Sequence, residues 1–224
     1  MLTKLVYPSE KICYLCTEVS NVIEGYLCPE CRVRLIRVDD CRTINSPYIE
    51  KVYSSLLYTS FTKELLHKFK FEDGGYLYKP LANIMTDTIK NLQLPLFDII
   101  IPVPIHRRKE AIRGYNQSNL LAREIGKLIQ VKAKSNLIVK FKNTLSQSQL
   151  QYHNRQTNLD DAFRVKQRGE IIGKDILLID DIITTGSTMK EVSKTLVEAG
   201  AKSVVGLTLT TTNTFAYKKT MPMD

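Results

Sequence analysis

Apolar residues along this chain follow two kinds of pattern, unbroken runs and helical spacing. Residues 97–105 and 175–180 are nearly continuous apolar runs, which are typical of strands buried on both faces of a parallel sheet. Residues 52–58 alternate apolar and polar positions as a half-buried strand does. Further strands are predicted at 135–140 and 203–211.

Four stretches between these strands place apolar side chains on one face of a helix. Pro80 suits the first turn of the second stretch, Asn116 can cap the third, and Gly200 can end the fourth. The strand, helix and strand from 175 to 211 make a βαβ unit. We therefore predict an α/β fold with a mostly parallel sheet flanked by helices. The predicted helices cover 61–71, 80–92, 116–129 and 187–201.

Three polar segments are predicted to connect these elements. Residues 39–51 are interpreted as the joint between a small N-terminal module, residues 1–45, and a main domain, residues 46–224. Residues 106–115 are predicted to form a basic loop. Residues 147–159 fit either a helix or a mobile loop.

The chain carries a formal charge of +9, and the positive charge is concentrated in one region. Residues 105–142 hold ten Lys and Arg against two Glu. A basic surface favours polyanions, namely nucleic acid, phosphorylated small molecules or a membrane face. The alternative is that these side chains only solubilise helices.

The composition, with 43% hydrophobic and 25% charged residues, is that of a globular protein with one domain and a small appendage. No segment reaches the roughly 18 consecutive apolar residues that a membrane-spanning helix needs. The first residues lack the apolar core of a signal peptide. We therefore expect a cytoplasmic protein.

Four of the five cysteines form two C-x2-C pairs. Cys13 and Cys16 make the first pair, and Cys28 and Cys31 follow after eleven intervening residues. Two such pairs can place four thiolates around one tetrahedral Zn²⁺, which would be structural because no coordination position stays open. Two disulfides are the alternative, but they belong to oxidising compartments. Cys41 is predicted to be a spare buried thiol.

The segment 176–189, ILLIDDIITTGSTM, ends an apolar strand with two acids and continues with a glycine among hydroxyl residues. Ligands of parallel α/β sheets lie at the carboxyl ends of the strands, so Asp180 and Asp181 are predicted to contact a ligand. The loop after them leads into a helix whose N-terminal amides and dipole attract an anion. The residues of this hydroxyl loop are Thr184, Thr185, Gly186, Ser187 and Thr188.

Each half of this motif suits a different part of one ligand. The hydroxyl loop can hold a phosphate, whereas the two carboxylates suit the vicinal hydroxyls of a sugar or a Mg²⁺ that the phosphates share. Together they predict a ribose 5-phosphate ligand. A polar turn that merely caps a helix would explain one or two of these residues but not all of them in order.

The same segment resembles the binding motif of type I phosphoribosyltransferases, which hold 5-phosphoribosyl 1-pyrophosphate (PRPP) with Mg²⁺. The resemblance implies a type I phosphoribosyltransferase-like fold, in which Asp180 and Asp181 contact the ribose hydroxyls and the hydroxyl loop wraps the 5′-phosphate. The whole chain resembles one branch, the ComF family of competence and gluconate-utilisation-type proteins. That branch combines an N-terminal four-cysteine module with a phosphoribosyltransferase-like domain, and residues 101–122 and 144–163 also match it.

The chemistry of the superfamily is displacement of pyrophosphate from PRPP, which requires cations on the leaving group. Arg107, Arg108 and Arg113 are candidates for pyrophosphate or DNA contacts. No catalytic residue is assigned, because Thr184 stands where the hypoxanthine-type branch has an aspartate that faces the purine. No histidine has a partner at a diagnostic spacing, so each is predicted to serve the surface or the packing. The histidines are His67, His106 and His153.

Three functions of different classes stay open. The ComF resemblance implies a cytoplasmic PRPP-binding protein that handles single-stranded DNA in natural transformation, with competence-pathway proteins as possible partners. The zinc module and residues 105–142 would form its DNA surface. The alternatives are an active phosphoribosyltransferase on an unidentified acceptor and a PRPP-sensing regulator or scaffold. Few aromatic residues lie in the basic stretch, which counts against the first function because single strands usually stack on aromatic side chains.

Overall fold

The computed structural model describes residues 12–20, 26–49, 51–142 and 162–212, and the structural statements below concern these residues. The strands are β1 (Arg37–Thr43), β2 (Lys51–Leu57), β3 (Ile99–Pro102), β4 (Ile138–Lys140), β5 (Phe163–Val165), β6 (Asp175–Ile183) and β7 (Ser203–Thr211). The helices are α1 (Pro29–Arg34), α2 (Ser60–Phe71), α3 (Tyr78–Asn91), α4 (Arg107–Arg113), α5 (Gln117–Ile129) and α6 (Ser187–Glu198). Short 3-10 turns lie at Gly74–Leu77 and Arg168–Glu170.

Five strands form one sheet in the order β1-β2-β7-β6-β3. Strands β2, β7, β6 and β3 run parallel, and β1 is an antiparallel strand at the edge. The predicted βαβ unit is present as β6, α6 and β7. The segment around 138–140 pairs with β5 in a separate two-stranded sheet. The prediction of an α/β fold with a mostly parallel sheet is confirmed.

The side chains of β6 alternate between two hydrophobic layers, because successive residues of a strand point to opposite faces of the sheet. Leu177 and Ile179 pack in the layer that holds α2, α3 and α5. Ile176 and Leu178 pack in the layer that holds α6, β4 and β5. All four side chains are fully buried, which explains the unbroken apolar run in the sequence.

Local features of the chain fix where three of the helices begin or end. Thr59 caps α2, since its Oγ1 accepts from the backbone N–H of Thr62 at 3.2 Å while the Thr62 hydroxyl accepts from the N–H of Thr59 at 2.7 Å. Asn116 caps α5, as predicted, and accepts from the N–H of Ser118 at 3.0 Å. Gly200 follows α6 with the predicted left-handed conformation, at φ 102°.

Two segments predicted to be irregular contain regular structure. Residues 39–51, predicted as a joint, include most of β1, whose polar side chains suit a strand at the edge of a sheet. Residues 106–115, predicted as a loop, contain α4, which begins after His106 and ends at Gly114 with φ 79°. This helix buries none of its side chains, so it has no apolar periodicity for sequence analysis to detect.

The N-terminal module packs directly against the main domain. Cys13, Leu27 and Leu35 belong to the same hydrophobic core as α3 and α5. The boundary between the module and the main domain at residue 45 stays a prediction. Because β1 pairs with β2 of the main sheet, we propose that a boundary near Leu35 agrees better with the structure. Cys41 lies exposed on β1 and is not the buried thiol that was predicted.

Part of the chain lies outside this description. The predicted helix or loop at 147–159 and nearly all of the matching block 144–163 belong to that part. Among the residues that are described, no helix combines the length and the apolar character that crossing a bilayer requires.

Candidate functional site

Asp180 and Asp181 are held near the end of β6 by three other elements. Asp180 Oδ1 accepts hydrogen bonds from the hydroxyl of Ser118 on α5 and from the N–H of Asp181, each at 2.9 Å. Asp181 is only 7% exposed, and its carboxylate forms an ion pair with the ammonium group of Lys70 on α2. Its carbonyl oxygen accepts from the hydroxyl of Thr210 on β7 at 3.2 Å. The two predicted diol-binding acids are thus held in place by contacts within the protein.

The environment of Asp180 brings its titration close to neutral pH. Burial and, after it, the negative charge of Asp181 raise the pKa of the Asp180 carboxyl to about 7. Hydrogen bonds from Asp181 and Ser118 and the charge of Lys70 act in the opposite direction. Asp180 can therefore either accept a hydrogen bond from a ligand hydroxyl or donate one near neutral pH.

Cationic side chains from α2, α4 and β4 meet at this acidic pair. Arg113 is half-buried: burial lowers its pKa, whereas the charges of Asp181 and Asp180 act to raise it. Burial and the neighbouring charge of Lys109 lower the pKa of Lys140 to about 8, against the attraction of Asp180. Such a cluster has the charge that a pyrophosphate group beside two carboxylates would need.

The three arginines that the sequence analysis proposed for pyrophosphate or DNA contacts have different surroundings in the structure. Arg113 interacts with the acidic pair, whereas Arg107 and Arg108 are exposed at the start of α4. Sequence analysis could not select the lysines of the cluster, because nothing local tells which lysine of a basic stretch faces an acid on another element. These lysines are Lys70 and Lys140.

Residues 114–118 fix the end of α2 relative to the acidic pair. The Tyr115 hydroxyl donates to the carbonyl oxygen of Phe69 at 2.7 Å, and the Gln117 amide donates to the same oxygen at 3.5 Å. Arg113 in turn donates to the Gln117 amide oxygen at 3.1 Å. Sequence analysis missed these positioning residues. The available signal was a run of polar residues longer than a helix cap needs.

The hydroxyl loop joins β6 to α6, as predicted. Gly186 has a left-handed φ of 84°, which favours glycine, and a Cβ atom there would lie 2.9 Å from Ile44 Cδ1. The Thr185 hydroxyl accepts from the N–H of Ser187 at 3.3 Å and lies 2.8 Å from the Ser187 hydroxyl. Hydroxyl groups and backbone amides therefore lie together at the N-terminus of α6, where an anion is favoured.

A cavity of about 180 Å³ lies beside this loop. Residues 185–187 line it together with two cations, Arg42 and Lys190. Arg42 is on β1, and its guanidinium donates to the carbonyl oxygen of Thr184 at 2.5 Å. An anion in this cavity would meet positive charge that the loop motif itself does not contain.

A larger cavity of about 930 Å³ opens next to the acidic pair. Its lining includes Lys70, Arg113 and Thr184, and α2 supplies much of the remaining wall. The sequence had given no indication of a base or acceptor pocket. The reason is that its walls come from separate helices and strand ends.

The two described histidines have different surroundings. His67 is exposed and lies 2.8 Å from a carboxylate oxygen of Glu72. His106 is buried and caps α4, with Nδ1 accepting from the N–H of Arg108 at 3.3 Å. His153 lies outside the described residues.

The four predicted metal ligands lie together. The sulfur atoms of Cys13, Cys16, Cys28 and Cys31 all lie within 4.8 Å of one another, and those of Cys16 and Cys28 are 3.8 Å apart. A tetrahedral site with Zn–S bonds of about 2.3 Å places its sulfurs about 3.8 Å apart. All four are free thiols, so the alternative of two disulfides does not occur. The cluster can hold a metal ion such as zinc.

Comparison with known proteins agrees with this geometry. Residues 114–220 match the phosphoribosyl transferase domain family. The chain is 32% identical to Competence protein F of Haemophilus influenzae, over 62% of this chain and 63% of that protein. It is 27% identical to Competence protein ComFC of Bacillus subtilis, over 92% of this chain and 86% of that protein. It is also 27% identical to DNA utilization protein YhgH of Escherichia coli K12, over 86% and 87%.

Among solved structures, the glutamine PRPP amidotransferase of Bacillus subtilis matches at 18% identity, with a TM-score of 0.39, over 57% of this chain and 26% of that one. The matched domain family, together with the parallel sheet and the acidic pair at its carboxyl edge, confirms the predicted type I phosphoribosyltransferase-like fold. Two of these relatives match 86% and 92% of the chain. This chain is thus related over most of its length to competence and DNA utilization proteins, and it contains a phosphoribosyl transferase domain.

Proposed function

We propose that this protein binds PRPP with Mg²⁺ and handles single-stranded DNA during natural transformation. The observation that carries the PRPP half is the meeting of two acids, a hydroxyl loop and a cation cluster at one edge of the sheet. The DNA half is supported by the names of the relatives, which are competence and DNA utilization proteins, and by the charge of +9.

In this proposal each part of PRPP meets a different group of residues. The 5′-phosphate lies at the N-terminus of α6, beside the hydroxyl loop and Arg42. Asp180 and Asp181 accept hydrogen bonds from the ribose hydroxyls. The pyrophosphate faces Arg113 and Lys140. When bound, Mg²⁺ would supply positive charge on the pyrophosphate, and the two aspartates are suitable oxygen ligands beside it.

The DNA would contact the basic surface outside this ligand site. Arg107 and Arg108 are exposed and belong to the stretch with ten basic and two acidic residues. Contacts of this kind act through phosphate charge and weaken as the salt concentration rises.

A second candidate function is phosphoribosyl transfer to an acceptor. The cavity of about 930 Å³ next to Lys70 and Thr184 has room for one, and the pKa of about 7 at Asp180 suits a group that exchanges protons. A PRPP-sensing regulator or scaffold would use the same PRPP site with neither DNA affinity nor turnover.

Calorimetric titration of PRPP with Mg²⁺ into the full chain, with and without oligo-dT, tests the proposal. We expect heat of binding with the wild type and at least ten-fold weaker binding with Asp181→Asn. Asp87→Asn, an exposed change on α3, is the control and should bind like the wild type. Absence of heat with the wild type would overturn the PRPP assignment. Pyrophosphate release with a nucleobase would favour the transferase.

A further inference from the structure

We infer that Phe71 and Arg113 form a seat in which a base of single-stranded DNA stacks, next to the proposed PRPP site. The inference rests on the proposed DNA-binding function. It names the side chains that would hold the DNA strand, which the charge of the basic surface alone does not identify.

Phe71, the last residue of α2, is a large apolar side chain that is 56% exposed. The guanidinium of Arg113 lies over its ring, 4.8 Å from the ring centroid. The ring of His67, one helical turn earlier, has its centroid 5.1 Å from that of Phe71. Exposed aromatic rings next to a planar cation are the surfaces on which nucleic acid bases stack.

This seat adjoins the acidic pair. Phe71 and Arg113 both line the cavity of about 930 Å³. Lys70, the residue before Phe71, forms the ion pair with Asp181, and Arg113 interacts with both aspartates. A base in the seat would therefore lie beside the ribose of bound PRPP.

A similar pair lies at the other end of α2. Phe61 lines the same cavity, and the guanidinium of Arg34 lies 3.8 Å from its ring centroid. Ten residues of helix separate the two rings by about 15 Å. Because Arg34 is the last residue of α1, this second pair connects the cavity with the four-cysteine module.

The charge of the cavity selects among possible occupants. Four cations and two carboxylates line it; one of the cations, Lys70, pairs with Asp181, and one of the carboxylates, Glu72, pairs with His67. A cavity with an apolar wall and excess positive charge suits a base that is attached to phosphates. It suits an apolar peptide segment with few or no acidic residues less well. The cations are Lys63, Lys68, Lys70 and Arg113.

The test compares labelled oligo-dT with an abasic oligomer of the same length, by fluorescence anisotropy. The abasic oligomer keeps the phosphates and lacks the bases. We expect the wild type to bind oligo-dT at least about five-fold more tightly than the abasic oligomer, as stacking of one base predicts. Phe71→Ala should remove this preference and leave the affinity for the abasic oligomer unchanged. Phe71→Tyr should keep the preference for oligo-dT.

Tyr76→Ala is the matched control and should keep the preference for oligo-dT. Tyr76 is 39% exposed and has the ammonium group of Lys68 over its ring at 5.8 Å, but it belongs neither to the described lining of the cavity nor to the basic stretch 105–142. Thermal unfolding of each variant shows that the fold is retained.

Two negative results have different meanings. If the wild type binds neither oligomer, the DNA-handling function fails and the seat fails with it. If the wild type binds oligo-dT but Phe71→Ala keeps the full preference over the abasic oligomer, only the seat is overturned.

Discussion

Lys70 and Asp181 form an ion pair where the end of α2 meets the carboxyl end of β6. The side chains are 20% and 10% exposed, so both charges are largely removed from water and each depends on the other. The pair neutralises one of the two acids. It also holds the neighbouring Phe71 beside the proposed PRPP site.

Replacing Lys70 by Met should destabilise the protein, because it leaves the Asp181 carboxylate buried without a counter-charge. We expect a loss of roughly 2 kcal/mol or more in the free energy of unfolding, measured by denaturant titration. Lys63→Met, at an exposed position of the same helix, should have little effect. The double variant Lys70→Met with Asp181→Asn should recover much of the loss. An unchanged denaturation midpoint for Lys70→Met would show that the ion pair contributes nothing to the stability of the protein.

Asp180 should make the stability of the ligand-free protein depend on pH. Its pKa is raised from 3.8 to about 7 on folding, so between these values the folded chain holds a proton that the unfolded chain has lost. This contribution to the free energy of unfolding therefore falls as the pH rises from about 4 to about 7 and is level above that.

Asp180→Asn removes this titration and keeps an oxygen that can accept from Ser118. The variant should gain stability relative to the wild type at pH 8 and show little gain at pH 4, as measured by denaturant titration. A difference that is the same at both pH values would contradict the raised pKa. Asp87→Asn should show no comparable change.

Removal of the metal should destabilise the whole protein and not only its N-terminal module. Cys13, Cys28 and Leu35 lie in the same core as α3, so loss of the metal would loosen that core as well. We expect about one zinc per chain in the purified protein and a lower Tm after treatment with a chelator. Cys31→Ser should lose the zinc, whereas Cys41→Ser, at the exposed cysteine, should retain both zinc and Tm.

Gly186→Ala and Gly173→Ala separate backbone strain from ligand binding. Both glycines have positive φ, 84° and 71°, so each substitution should cost about 1 kcal/mol of stability. A Cβ at Gly186 would also press on Ile44, whereas nothing lies within 4 Å at Gly173. PRPP affinity, measured by calorimetry, should fall at least ten-fold only in Gly186→Ala. Equal affinities in the two variants would remove the loop from the PRPP site.

Exposed and half-buried cations on α4 and β4 should serve different ligands. Arg107→Gln with Arg108→Gln should make the salt dependence of oligo-dT binding shallower, by about 1.4 in the slope of log K against log salt for two lost phosphate contacts. PRPP affinity should not change in this variant. Lys140→Met should weaken PRPP and leave the salt dependence unchanged, and the reverse pattern would exchange the two assignments.

The sequence by itself determined the features that depend on neighbours along the chain. Unbroken apolar runs identified β3 and β6. The C-x2-C spacing identified the metal cluster, because each C-x2-C pair positions its own two thiols. The order of residues from Asp180 to Thr188 indicated the ligand class for the same reason. These patterns are local, so no knowledge of the sheet was needed to recognise them.

The tertiary structure decided which distant side chains join them. Arg42 reaches the hydroxyl loop from β1, and Lys70 reaches Asp181 from α2. Phe71 on α2 likewise contacts Arg113. The basic stretch 105–142 itself contains few aromatic residues, so the sequence did not indicate this contact. Contacts between elements far apart in the chain leave no periodic signal in it, so they could be found only once the fold was known.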